Sequence, residues 1–178
     1  MTERSNAPLT SPLVPDTETK GEVSEGEWRV REARPEDVPA AAAAIGELLV
    51  ELSGGGPPRE ELEEAGRQLV ADPGLGTLLV AEAEGEVVGV LAASWQHAVH
   101  VPGRYGTIQD LWVRADWRSR AIGRELVEAY AELAREAGAA RLEVGLPRET
   151  FAMIEATEAF YRRNGFEHLG PRMRRKLS

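Results

Sequence analysis

Cysteine is absent from this chain of 178 residues. That excludes disulfides, a thiolate metal centre and a cysteine nucleophile, and it suits a cytoplasmic protein. No apolar run reaches the ~18 residues of a membrane span, and the polar, proline-rich first residues do not read as a signal peptide. A surplus of basic charge is also missing. Lys and Arg number 21 against 30 Asp and Glu, a formal net charge of -9. Such a balance excludes general nucleic-acid binding, keeps the chain soluble and steers cations toward it. No Gly-x-Gly-x-x-Gly follows the first predicted strand, so a dinucleotide fold is not indicated. The triple glycine Gly54-Gly55-Gly56 lacks the Lys-Ser/Thr of a phosphate loop and reads as a linker.

What is present fits one domain, 27–178, behind a disordered tail, 1–26. The tail is rich in Pro, Ser, Thr and Glu and has too few large apolar residues to offset its ordering entropy. A first strand is predicted over 28–33. A helix opens at Arg34-Pro35-Glu36-Asp37, with proline and two acids in its first turn, and runs to about Leu52. A second helix covers 59–70. Two apolar strands, 77–82 and 87–95, flank Glu84-Gly85-Glu86 as a hairpin. Residues 96–105 read as a polar loop. His97 and His100 lie in it without a third ligand, so no metal site is expected.

The most informative stretch is 106–126. It reads as a strand over 107–113, a basic turn over 116–121, and a helix that begins near Ile122 and Gly123. This helix repeats Leu126, Val127, Tyr130, Leu133, Ala134 and Ala137 on one side, the period of a helix lying on a sheet. Gly138 stops it. A helix start leaves backbone N–H groups unpaired at the positive end of the macrodipole. Beside Arg118 and Arg120, those donors make a site for a phosphate or pyrophosphate. A strand over 141–146, a helix over 151–164 with Thr150 as cap, and final strands over 166–168 and 172–177 complete the order. The alternation predicts a mixed α/β sheet with helices on both faces.

Arg118-Ser119-Arg120-Ala121-Ile122-Gly123 resembles the acyl-CoA signature of the GNAT superfamily of N-acyltransferases: Gln or Arg, two variable residues, Gly, one variable residue, then Gly or Ala. Asp110-Leu111-Trp112-Val113 resembles the strand that leads into it. Ala159-Phe160-Tyr161-Arg162-Arg163-Asn164-Gly165-Phe166 resembles the second hallmark, a helix ending in Phe-Tyr and Gly-Phe. Ala121 stands where the family has its first glycine. No asparagine precedes Tyr161 by two turns; that neighbourhood reads Met153-Ile154-Glu155.

The resemblance implies a mostly antiparallel sheet whose fourth and fifth strands splay apart, opening a slot for the pantetheine arm of acetyl-CoA. It implies that Arg118, Ser119, Arg120, Ala121, Gly123 and Arg124 hold pyrophosphate, and that the backbone of Leu111 and Val113 meets the acyl arm. Part of 48–67 would face the acceptor. Tyr161 matches the general acid, and Asp110 joins it as a catalytic candidate. Glu143, His97, His100 and a water chain also remain as bases. The implied activity is acetyl transfer to the amine of a small molecule or peptide, without metal, nucleic acid or membrane, by a chain that could pair as a homodimer. A non-catalytic acyl-CoA-binding regulatory module is the alternative; it would keep the turn and lose the acid.

Overall fold

A computed structural model describes residues 27–170, 172, 173 and 175; the expected tail lies outside the described residues. The elements are β1 (Arg29–Glu32), a 3-10 turn (Pro35–Asp37), α1 (Val38–Ser53), α2 (Arg59–Ala71), β2 (Gly76–Ala83), β3 (Glu86–Ala98), β4 (Val101–Val113), a second 3-10 turn (Ala115–Trp117), α3 (Ile122–Glu136), β5 (Ala139–Val144) and α4 (Ile154–Arg163). They build one sheet in the order β1-β2-β3-β4-β5. The first four strands pair antiparallel, and β5 pairs parallel to β4. A parallel partner needs a crossover, and α3 provides it.

Successive strand residues point to opposite faces, so the sheet feeds two cores. Leu78, Val90, Ala92 and Trp112 face Ala41 and Ala44 of α1. Leu79, Leu91, Ala93 and Ile108 face Ile122, Leu126 and Tyr130 of α3 and Tyr161 of α4. Helix α3 approaches closely because Gly89 has no side chain there. A Cβ on Gly89 would lie 2.8 Å from Ile122 Cγ2 and 3.1 Å from Leu126 Cδ1. A Cβ on Gly106 would collide with the hydroxyl of Tyr130. The Tyr130 ring lies against Trp95, with centroids 5.5 Å apart.

Three boundaries differ from expectation. Residues 96–105 are not a loop: β3 and β4 continue through them, pairing Gln96 with Tyr105 and His97 with Arg104. Pro102 and Gly103 fall in an irregularity of that ladder, where a residue without N–H costs no pairing. Helix α4 begins at Ile154 after a turn, with Met153 rather than Thr150 as cap. No strand forms over 166–168, because Phe166 closes the end of α4 instead. The last expected strand lies largely outside the described residues. Ala137, expected on the buried face of α3, is exposed beyond its end.

A charge cluster ties β1 to the start of α1. Arg31 donates to Asp37 at 2.6 and 2.9 Å and to Glu82 at 2.8 Å. Asp37, 8% exposed, also accepts the Arg34 N–H at 2.6 Å. The Arg31 hydrogen bond holds the Asp37 carboxyl below its usual range. A lowered folded pKa stabilises above the unfolded value near ~3.9 and is lost as pH falls through the folded value. Asp37→Asn should therefore cost about 2–3 kcal/mol at pH 7, somewhat below the ~3–5 of a fully buried pair. Urea unfolding at pH 7 and at pH 2.5 checks this: the gap between the two proteins should shrink in acid, and an undiminished gap would assign the cluster no charge contribution.

Candidate active site

Strands β4 and β5 part midway. Their pairing runs Arg104↔Ala139, Gly106↔Leu142, Thr107↔Glu143, Ile108↔Val144 and stops there. β5 ends at Val144, and Pro147 lies just beyond it. β4 continues, held on its other edge by β3 up to Gly89↔Val113. The outer edge of 109–113 thus carries backbone groups without a strand partner.

A bulge sets what this segment presents. Ala92 faces Asp110 and Ala93 faces Ile108, so Gln109 is an extra residue. Its side-chain amide donates to Ser94 Oγ at 2.8 Å. One inserted residue switches the faces that follow. Asp110 and Trp112 therefore point toward α1 and α2, while Leu111 and Val113 pack on the α3 side.

Beyond β4, Trp117 is buried and anchors the basic turn. The guanidinium of Arg120 lies 4.5 Å from its ring centre and that of Arg114 5.8 Å. Ser119 and Ala121 both adopt φ 65. Left-handed residues in such turns gather backbone N–H groups into an anion-binding concavity. No side chain caps α3, so its first N–H groups stay available. Arg118 is engaged differently from its neighbours. It donates to the Val113 carbonyl at 2.9 Å and to the Glu51 carboxylate at 2.9 and 3.1 Å, bridging the turn to the end of α1. Arg124 is exposed. Gly123 faces inward: a Cβ there would touch Phe160 at 3.4 Å and Val113 Cγ2 at 3.7 Å. It is the point where α4 meets the start of α3.

The sequence Tyr161-Arg162-Arg163-Asn164-Gly165-Phe166 closes α4 as a Schellman motif. Gly165 has φ 82, the Gly165 N–H donates to Arg162, and the Phe166 N–H donates to the Tyr161 carbonyl at 3.0 Å. The Phe166 ring then packs edge-on to Tyr161 with centroids 5.4 Å apart, and Phe160 does so at 5.1 Å. Tyr161 is 8% exposed, and its hydroxyl makes no hydrogen bond among the described residues. Burial pushes this phenol above its usual range, and the charge of Asp110 adds to the shift. Asp110 is half-buried, has no hydrogen bond or ion pair among the described residues, and is itself pushed up by burial.

The other candidate bases stand apart. Glu143 is paired with Arg141 at 2.7 Å. His97 and His100 lie at the far end of the β3–β4 hairpin. No group of three or more potential metal ligands occurs among the described residues. Two features escaped sequence reading: the Arg118–Glu51 bridge, and a cavity of about 90 Å³ between α1, α2 and the sheet, with Asp110 in its wall. It overlaps 48–67 only at Leu62, Ala65 and Gly66. Alanines spaced along one face of α1 were the available signal.

One five-stranded sheet, antiparallel but for the β4–β5 pair, with helices on both faces defines a mixed α/β architecture. The acetyltransferase (GNAT) family model matches residues 43–166, and the chain belongs to that family. An IAA acetyltransferase of Azospirillum brasilense is 36% identical over 106 residues, 58% of this chain and 62% of that protein, so the match spans under two thirds of the relative's length. The fold is shared with the ribosomal-protein-alanine N-acetyltransferase of Brucella melitensis biovar Abortus 2308, at TM-score 0.68 and 18% identity over 85% of this chain and 100% of that one. It is shared equally with an aminoglycoside acetyltransferase from an uncultured soil metagenomic sample, at TM-score 0.68 and 24% identity over 85% and 99%.

The left-handed conformation of Ala121 strains an L-residue and none of it would strain glycine. Ala121→Gly should stabilise the protein by about 1 kcal/mol after the extra chain entropy of glycine is subtracted. A urea midpoint below wild type would mean that the turn does not hold this geometry in solution.

Proposed function

We propose that the protein transfers the acetyl group of acetyl-CoA to a primary amine of a small molecule or peptide, in the cytoplasm. The observation that carries this reading is the uncapped start of α3 following a strand edge, 109–113, that β5 leaves without a partner; Asp110 on the α1 and α2 face and Tyr161 in the α3-side core supply the candidate base and acid. A donor with an anionic head and an amide-bearing arm fits that edge and helix start. The uncapped start of α3 and the turn of Ser119, Arg120, Ala121 and Gly123 offer N–H groups and charge to a pyrophosphate, with Arg124 beside them. Arg118 holds the turn against α1. The outer edge of 109–113, including the backbone of Leu111 and Val113, offers strand-like partners to the arm.

Acetyl-CoA supplies an acetyl group already activated as a thioester. The bond that forms joins the amine nitrogen to the acetyl carbon, and the carbon–sulfur bond breaks. A protonated amine must first lose a proton. Asp110 takes it, and burial brings this carboxyl closer to neutrality than an ordinary aspartate, which makes it a better base. Tyr161 gives a proton to the departing sulfur, the second proton lost by the nitrogen after attack restores the phenol, and Asp110 releases the first to solvent. A phenol held above its usual pKa stays protonated at every physiological pH.

Tyr161→Phe removes one oxygen that makes no hydrogen bond among the described residues, so stability should hardly change. General-acid catalysis is worth ~10²–10⁴ in rate, and kcat should fall by about that factor, or less if water substitutes. The KM for acetyl-CoA should stay near wild type, because the turn and strand edge are untouched. The raised pKa of the phenol also means that any alkaline limb below about pH 10 belongs to another group and persists in the variant. Steady-state kinetics across pH decide the matter, and wild-type kcat throughout would return Tyr161 to a packing role.

A further inference from the structure

We propose that the cavity between α1, α2 and the sheet receives a short aliphatic group of the acceptor while the acceptor's ammonium pairs with Asp110. The inference rests on the amine-acceptor reading above and narrows it to a class of amine.

The cavity wall is apolar. Val38, Ala41 and Ile45 contribute from α1, Leu62 and Leu69 from α2, and Ala92 forms part of the floor from β3. Asp110 is the one ionisable residue in the lining. Ala65 on its lining is exposed, whereas Val38, Ala41, Ala42, Leu78 and Ala92 are buried, so the pocket opens to solvent at one side and offers a charge few water partners at its inner end. A carboxylate there without a partner is costly, and a cation restores what desolvation removed. The void is not a failure of the helices to pack. At one end Gly66 lets α2 close on Val38, where a Cβ would already meet Val38 Cγ1 at 3.1 Å. Small residues at Ala41, Ala42 and Ala65 keep the rest open.

Size sets the class. A volume of about 90 Å³ is well below the ~150 Å³ apolar cavity that accepts a benzene ring. A chain of about three or four carbons suits such a pocket better than an aromatic ring does. Each methylene that leaves water should improve binding about three- to fourfold until the cavity is full.

The test uses the full chain with acetyl-CoA and the series methylamine, ethylamine, propylamine, butylamine, hexylamine and benzylamine. Turnover is followed as kcat/KM by release of free thiol. Binding of the same amines is followed by calorimetry. Both should rise about three- to fourfold per carbon to propylamine or butylamine, then fall for hexylamine and benzylamine. Ala42→Leu should fill the cavity and flatten the dependence while methylamine behaves as in wild type; Ala42→Val does the same in part if the larger side chain prevents folding, as judged by thermal melting. Asp110→Asn should weaken every alkylammonium. A flat profile in wild type, or an unchanged profile in a folded Ala42 variant, overturns the subsite and leaves the transferase reading intact. Length-dependent binding without turnover of any amine overturns the transferase reading and leaves the subsite standing.

Discussion

Everything about this site depends on β4 having a full-length partner on one edge and only half a partner on the other. β3 holds β4 as far as Gly89↔Val113, whereas β5 releases it after Ile108↔Val144. Buried backbone groups without partners are rare because each costs free energy. A strand edge left without a partner is therefore either a defect or a template. Here the crossover helix α3 follows that edge and α4 packs on its start, with Phe160 against Gly123 and Tyr161 in the same core as Ile108 and Ile122.

Charge placement follows from the same parting. Arg31, Asp37 and Glu82 are paired at the opposite edge of the sheet and fix the start of α1. Arg114 and Arg120 bracket Trp117 and fix the basic turn. Asp110 alone is left half-buried without a partner among the described residues. Structural carboxylates in this protein are lowered by their arginines, while Asp110 and Tyr161 are both raised by burial. Burial raises the Tyr130 phenol in the core in the same way, so what sets this region apart is the half-buried carboxyl of Asp110 without a partner among the described residues.

Much of this could be read from sequence because it is local. The alanine run of α1, the glycine turn at Glu84-Gly85, the amphipathic period of α3 and the Gly165-Phe166 ending of α4 each act over a few residues. The family resemblance of the basic turn and of Phe160-Tyr161 supplied the expected site. What escaped was non-local. The bulge at Gln109 is visible only once β3 and β4 are in register, yet it decides that Asp110 faces α1 and α2. Continuation of the hairpin through Gln96 and Tyr105 was hidden by Pro102 and Gly103, which usually mark loops and here sit in a ladder irregularity. The expected strand at Phe166 failed because its ring is used to lock Tyr161. The cavity arises from two helices and three strands at once, and no single segment carries its signature.

The central claim is that the released edge of β4 and the uncapped start of α3 together hold acetyl-CoA. Amide hydrogen exchange with and without acetyl-CoA tests it most directly. Amides on the outer edge of 109–113 and at Ile122, Gly123 and Arg124 should slow together on addition of the donor, while amides already paired to β3 change little. Protection confined to other parts of the sheet, or none at these two segments under saturating donor, would contradict the account.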